Sequence, residues 1–195
     1  SGSHRGEPVG WVHRDLIYTD LRFSDLDVMD IDVLFLCMGH GLSAQFLEQH
    51  RVPISVKIID LSHDFRLKSN AGDFVYGLPE LNREQIRGAW HVANPGCFAT
   101  AIELGLLPLA KNGLLPAHVS VFGITGATGA GQKLTEETHY SHRVQNLSAY
   151  KVFSHQHLAE IRETLSGQDG NLPTDIAFVP VRGCHARGIM VNAVF

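Results

Sequence analysis

Cys97 follows Asn94-Pro95-Gly96 and opens a mostly apolar run that stops at Asn112-Gly113. Pro95 fixes its own φ and pushes Asn94 toward an extended conformation, while Gly96 lets the backbone bend sharply. From Phe98 on, Ala101, Ile102, Leu104, Leu106, Leu107, Leu109 and Ala110 predict a helix. Cys97 then stands in the first turn, where unpaired amides and the positive dipole end favour thiolate over thiol. A strand, a tight turn and a helix that begins on cysteine hold and activate a nucleophile. The competing reading is a buried free cysteine capping a core helix. The turn before Cys97 and the dipole behind it favour the nucleophile.

His155, His157 and Glu160 form a second constellation. His157 and Glu160 are three apart, so they share a helix face, and Glu160 is placed to orient the imidazole or bind substrate. A histidine beside a thiolate serves as general base and acid. A metal reading would need His139, His142, His155 and His157 to converge, and no zinc spacing is present, so no metal is expected. Most of the twelve histidines, His13, His50 and His118 among them, read as surface residues. Arg182 and Arg187 bracket a turn between two predicted strands, where a guanidinium suits a carboxylate or phosphate. Solvated loop arginines are the competing reading, and spacing alone favours that one.

The elements that would position these groups can be read from pattern. Residues 31–38 (IDVLFLCM) predict a strand buried on both faces, 43–50 a short amphipathic helix and 56–61 (VKIIDL) a second strand. That is a βαβ unit in a parallel sheet, whose ligands sit beyond the strands' carboxyl ends. Gly39, His40 and Gly41, and Ser62-His63-Asp64-Phe65-Arg66, occupy those ends and are cofactor-side candidates, with ordinary helix caps and turns as the alternative. Residues 73–82 read as irregular, 83–86 as a brief helix and 90–93 as the strand feeding the Cys97 turn. A strand at 119–124 opens onto Thr125-Gly126-Ala127-Thr128-Gly129-Ala130-Gly131, which is not a dinucleotide fingerprint. The loop allows close backbone approach to a ligand at Gly126, Gly129 and Gly131, or it is a flexible connection. A helix from about 154 to 165 and strands at 176–179 and 188–194 complete an α+β pattern. Residues 16–18 and 21–23 are further extended candidates.

The 195 residues suffice for one large domain or two small ones, and the net charge of −4 carries no basic stripe that would favour nucleic acid. No apolar run reaches membrane-spanning length. Cys37, Cys97 and Cys184 are odd in number and far apart, so no disulfide framework is expected and a reducing cytoplasm suits the chain.

Several motifs in order resemble the N-acetyl-gamma-glutamyl-phosphate reductase family of the semialdehyde-dehydrogenase superfamily. They are Ile58-Ile59-Asp60-Leu61-Ser62 with Asp64-Phe65-Arg66, the heptapeptide Tyr76-Gly77-Leu78-Pro79-Glu80-Leu81-Asn82, and Asn94-Pro95-Gly96-Cys97. The glycine loop at 125–131, the histidine pair with Glu160-Ile161, and Arg187-Gly188-Ile189 follow. The resemblance implies an α/β chain: an incomplete Rossmann-like NADP-binding domain over residues 1–96, then an α+β substrate and dimerisation domain over 97–195. It implies that Cys97 attacks an acyl phosphate to form a thioester, which NADPH reduces, with His157 as general acid and base. Asn94, His155, Glu160, Arg182 and Arg187 would contact substrate. Gly126, Gly129 and Gly131 would line the nicotinamide region, and Ser1, Ser3 and Arg5 would hold the adenosine ribose and its 2′-phosphate. A homo-oligomer, dimer or tetramer, is expected.

This sequence departs from the family at Gln156, where Arg is usual, at Ala159, where Pro is usual, and at Thr125 and Thr128, which replace serines. The resemblance implies a first strand with a glycine-rich phosphate loop ahead of Ser1 and a returning segment after Phe195, so both ends of the given sequence are expected to be cut off. A chain of these residues alone is expected to bind NADPH poorly. An aspartate-semialdehyde-type dehydrogenase and a catalytically silent fragment are the alternatives.

Overall fold

Two four-stranded sheets carry the chain, joined through a long helix. The computed structural model describes residues 6–11, 15, 31–131, 133–166 and 174–195. Ser1, Ser3 and Arg5, together with the extended candidates at 16–18 and 21–23, lie outside the described residues.

The first sheet follows the βαβ pattern. Strand β1 (Val33–Leu36), helix α1 (Leu42–Gln49) and strand β2 (Lys57–Asp60) are followed by β3 (Val75–Tyr76), α2 (Pro79–Gly88) and β4 (His91–Ala93). The strands lie in the order β1-β2-β4-β3, and every pairing is parallel. Leu34, Leu36, Val56, Ile58, Phe74 and Ala93 form its core, with Phe46 and Leu47 of α1 packed against them. Burial of β1 alternates, contrary to the expectation of two covered faces: Val33 and Phe35 are 42% and 58% exposed. An uninterrupted apolar run cannot report this, because side chains alternate between faces whatever covers each one.

Residues 73–82 are more ordered than their sequence predicts. Val75 and Tyr76 pair with Val92 and Ala93, and α2 starts at Pro79, whose fixed φ and missing N–H suit the first helical position. A non-helical Asn82 (φ −118°, ψ 28°) interrupts the helix, which breaks the periodicity a sequence reading depends on.

The second sheet begins after α3 (Cys97–Lys111), with β5 (His118–Thr125), the short α4 (Tyr140–Arg143), β6 (Ser148–Ala149), α5 (His157–Ser166), β7 (Asp175–Arg182) and β8 (Ile189–Val194). Its order is β6-β7-β5-β8, with β5 and β7 parallel and the outer strands antiparallel. Helices α3 and α5 cover one face: Phe98, Ile102, Leu106, Leu158, Ile161 and Leu165 pack on Val119, Val121, Ile176 and Phe178. Strand β7 runs through Pro180 and Val181 to Arg182, longer than expected. Pairing with β5 along its whole length outweighs the lost proline donor, and the Pro180 carbonyl still accepts from the Tyr150 amide. Strand β6 is only two residues and left no periodic trace. Among the described residues, no helix is long and apolar enough to cross a membrane, and no group of three or more His, Cys, Asp or Glu is gathered as for a metal ion.

Candidate functional site

Cys97 is the first residue of α3 and is exposed, while Pro95, Gly96 and Phe98 around it are buried. The turn that presents it is anchored from three sides. The Asn94 amide donates to Asp60 O at the end of β2, 2.8 Å away. Arg66 Nε donates to Asn94 O at 2.8 Å, and the Gly96 amide donates to Glu160 Oε2 at 3.0 Å. No side chain caps the start of α3.

Gly96 is needed for a different reason from the one its type suggests. Its φ of −64° and ψ of 148° are ordinary extended values, so no unusual bend requires glycine. A Cβ there would stand 2.5 Å from His157 Nε2 and 2.6 Å from Glu160 Oε1. Close packing, not backbone freedom, excludes a side chain at this position.

His157 opens α5 and is 6% exposed. Its Nε2 lies over Gly96, 3.8 Å from Glu160 Oε1. Burial, then His155 and Arg66, push its pKa down to about 3; burial and Lys151 take His155 down to about 4. Both imidazoles are therefore neutral at ordinary pH. The His157 amide donates to His155 Nδ1 at 3.2 Å, which leaves the His155 proton on Nε2. The His155 ring packs edge-on against Phe98, Tyr150 and Phe178.

Glu160, expected to contact substrate, does not line the cleft. It is 4% exposed, and its charge is matched by Arg66 Nη1 at 3.2 Å. Arg66, read from the sequence as a cofactor-side candidate at the end of a strand, has a bracing part that its position in the sequence did not show. Buried to 7% exposure, it spends Nη1 on Glu160, Nε on Asn94 O and Nη2 on Leu61 O, tying both sheets to the cysteine turn. Its partner Glu160 is 94 residues away, so no local spacing could have paired them.

A cleft of about 860 Å³ opens in front of Cys97. It brings together Cys97, Asn94, His155, His157, Arg182, His40 and Gly129 of the expected site residues. Tyr150 and Lys151, to which the sequence reading assigned no role, also line it. Arg182 lies over the Tyr150 ring at 4.6 Å, with Glu137 Oε2 3.6 Å from its Nη1. Lys151 Nζ donates to Gln156 Oε1 at 2.8 Å.

Other expected residues stand elsewhere. Arg182 ends β7 and flanks the turn before β8 as expected, whereas Arg187 is exposed within that turn and does not line the cleft. Gly126 and Gly131 do not line the cleft either. A Cβ on Gly126 would meet Ala186 O at 2.6 Å, because the loop forms a short 3₁₀ turn (Ala127–Ala130) bonded to residues 185–188. It is a braced turn, not a flexible connection. Ser62 is buried and donates to Asp60 Oδ2 at 2.7 Å, bracing the end of β2.

The residues at the end of β1 suit a nucleotide. Gly39 and Gly41 have φ of 102° and 79°, with open space where a Cβ would stand, so a ligand can approach their backbone. His40, between them, stacks on His63 at 4.3 Å and accepts the His63 amide on Nδ1, leaving an Nε2 proton to donate.

The family model for the semialdehyde dehydrogenase NAD binding domain matches residues 1–89, and that for the semialdehyde dehydrogenase dimerisation domain matches 97–195. The chain belongs to the semialdehyde dehydrogenase family. Within it, an N-acetyl-gamma-glutamyl-phosphate reductase of Phocaeicola vulgatus is 50% identical over 200 residues, covering 100% of this chain and 61% of the relative. The corresponding protein of Christiangramia forsetii is 48% identical over 194 residues, covering 99% and 60%. The chain thus spans about three-fifths of the length of these curated relatives. The fold matches aspartate semialdehyde dehydrogenase II of Vibrio cholerae, with a TM-score of 0.63 at 16% identity, over 87% of this chain and 56% of that one. The Francisella tularensis aspartate semialdehyde dehydrogenase gives 0.63 at 15% identity, over 99% and 66%.

Proposed function

We propose that this chain carries the reaction centre of an NADPH-dependent reductase that converts N-acetyl-glutamyl 5-phosphate to N-acetyl-glutamate 5-semialdehyde and phosphate. The observation that supports it most is an exposed Cys97 at the start of α3, in one cleft with a buried, neutral His157. Relatives near 50% identity that bear the reductase name supply the substrate class.

In this reading His157 takes the Cys97 proton and the thiolate attacks the acyl carbonyl, forming a C–S bond. The C–O bond to phosphate then breaks, leaving a thioester on Cys97. First-turn amides of α3, which no side chain caps, are the donors for the oxyanion. Bound NADPH supplies the hydride that reduces the thioester. His157 returns a proton as the Cys97–carbon bond breaks and the aldehyde leaves. Arg182 and Lys151 hold the anionic ends of the substrate. Gly39, His40 and Gly41 receive the cofactor, and Gly129 borders the reacting end. Residues 1–96 act as the nucleotide-binding part and 97–195 as the catalytic part.

A homo-oligomer, in the cytoplasm, completes the reading. Phe122, Phe153, Met190 and Val194 are 42%, 63%, 58% and 63% exposed; β5 and β8 place three of them on the sheet face that α3 and α5 leave uncovered. Such an apolar face is a natural subunit contact.

Two measurements test the proposal. Thiol alkylation should label Cys97 faster than Cys37 or Cys184, although all three are exposed. Phosphate-dependent oxidation of N-acetylglutamate semialdehyde by NADP should be lost in Cys97→Ser. Equal labelling of the three thiols sinks the nucleophile, and turnover of aspartate semialdehyde instead sinks the substrate.

A further inference from the structure

One buried hydroxyl touches two buried carboxyl groups. Tyr76 Oη, on β3, lies 3.0 Å from each carboxyl oxygen of Glu103 on α3 and 3.1 Å from Glu160 Oε2 on α5. Glu103 is 0% exposed. A phenol carries one proton and can donate to one carboxyl only. Two ionised carboxylates around it would leave one close O···O contact without a hydrogen and place two like charges in one dry site. One carboxyl must carry the missing proton.

The neighbours decide which one. Glu160 faces the Arg66 guanidinium and accepts the Gly96 amide, so both of its oxygens are met by donors suited to a carboxylate. Glu103 is met by the neutral hydroxyls of Tyr76 and Thr164. Among the described residues, Arg66 is the cation that the cluster holds, and Glu160 takes it.

We propose that Glu103 is a protonated carboxylic acid in the folded protein and a positioning residue for the nucleophile turn. Its O–H donates to Tyr76 Oη, which commits the Tyr76 proton to Glu160 Oε2 and fixes the carboxylate that holds the Gly96 amide. The proton assignment stands whatever the reaction is; the positioning role rests on the proposed function. The ionisation of the group agrees with the geometry. Burial pushes Glu103 up to about 8; Glu160 adds to the rise, while the Tyr76 and Thr164 hydroxyls and Arg66 oppose it. Tyr76, raised by burial and by both carboxyls, keeps its proton throughout.

Infrared difference spectroscopy tests the assignment without any need for activity. At neutral pH the chain should show the carbonyl stretch of a protonated carboxylic acid, lost as pH is raised through about 8 and absent in Glu103→Gln. In Tyr76→Phe the band should move to higher frequency, because the acid has lost its acceptor. No band at neutral pH, or a band that survives Glu103→Gln, overturns the proposal. If Glu103→Gln fails to fold, the Tyr76→Phe spectrum decides, and an unmoved band overturns it. For the positioning role, Glu103→Leu should lower kcat roughly ten- to a hundredfold with KM little changed, and Gln, whose amide also donates to Tyr76, should restore it. A Gln variant as slow as Leu overturns that role, whereas an inactive wild type counts against the proposed function alone.

Discussion

Glu160 Oε2 accepts the backbone N–H of Gly96 at 3.0 Å, across 64 residues of sequence. The residue before the candidate nucleophile is therefore held by a carboxylate from another helix, with His157 packed over it. Gly96→Ala should cost about 1–3 kcal/mol, the usual penalty for overpacking a filled site, because its methyl would meet His157 and Glu160 at 2.5 and 2.6 Å. Gly105→Ala, inside α3 with open space around it, should instead stabilise by about 0.5–1 kcal/mol. Denaturant unfolding of both variants checks the contrast, and alkylation of Cys97 should slow only in the first.

Arg66 makes the buried ion pair with Glu160 and two further bonds to backbone carbonyls. Removing it as Arg66→Met leaves an unmatched buried carboxylate, a change that costs about 3–5 kcal/mol. Arg66→Lys should recover only a small part, since one ammonium cannot reach Glu160, Asn94 O and Leu61 O in their fixed directions. Unfolding midpoints across the three proteins rank the effect, and equal stability of the Lys variant and wild type would refute it.

Acid should weaken the fold well above the carboxylate range. His155 and His157 titrate near 6.5 when unfolded but at about 4 and about 3 in the native chain. The unfolded state thus binds their protons first, so this contribution is intact above pH 6.5 and is lost as pH falls toward 3. Thermal midpoints should decline through that interval, and His157→Gln should flatten the decline.

Glu103 has the opposite sign. Its carboxyl titrates at about 8 folded against 4.5 unfolded, so its contribution is whole below 4.5 and declines until pH passes about 8. Glu103→Gln removes that dependence. A wild type and variant with parallel midpoint curves over this window would contradict it.

The uncovered sheet face gives a test of assembly. Phe122→Asp with Met190→Asp places two charges at positions 42% and 58% exposed in the single chain. Sedimentation should show a smaller species for the double variant than for wild type, with the β-sheet circular dichroism unchanged. Identical sedimentation would move the contact elsewhere.

Local chemistry was readable from the residues alone. The strand, turn and helix around Cys97, the βαβ unit of β1, α1 and β2, and the pairing of His157 with Glu160 on one helix face each depend on neighbours within a few residues. Propensity, proline stiffness and helical period act over that distance. Order at 73–82 was hidden because a kink at Asn82 destroys periodicity, and β6 because two residues have none.

The amino-acid sequence by itself determined which residue types meet at the nucleophile turn and how that turn is built. Only the tertiary structure decided what surrounds it: Arg66 on Glu160, Glu160 on Gly96, Tyr76 between two carboxyls, Arg187 and Gly126 away from the cleft. Those relationships join residues 27 to 94 positions apart, such as Tyr76 with Glu103 and Arg66 with Glu160, and they exist because burial leaves each polar group dependent on whatever partner the packing brings within reach. Composition can supply the groups, but their pairing is set by which helix faces which sheet.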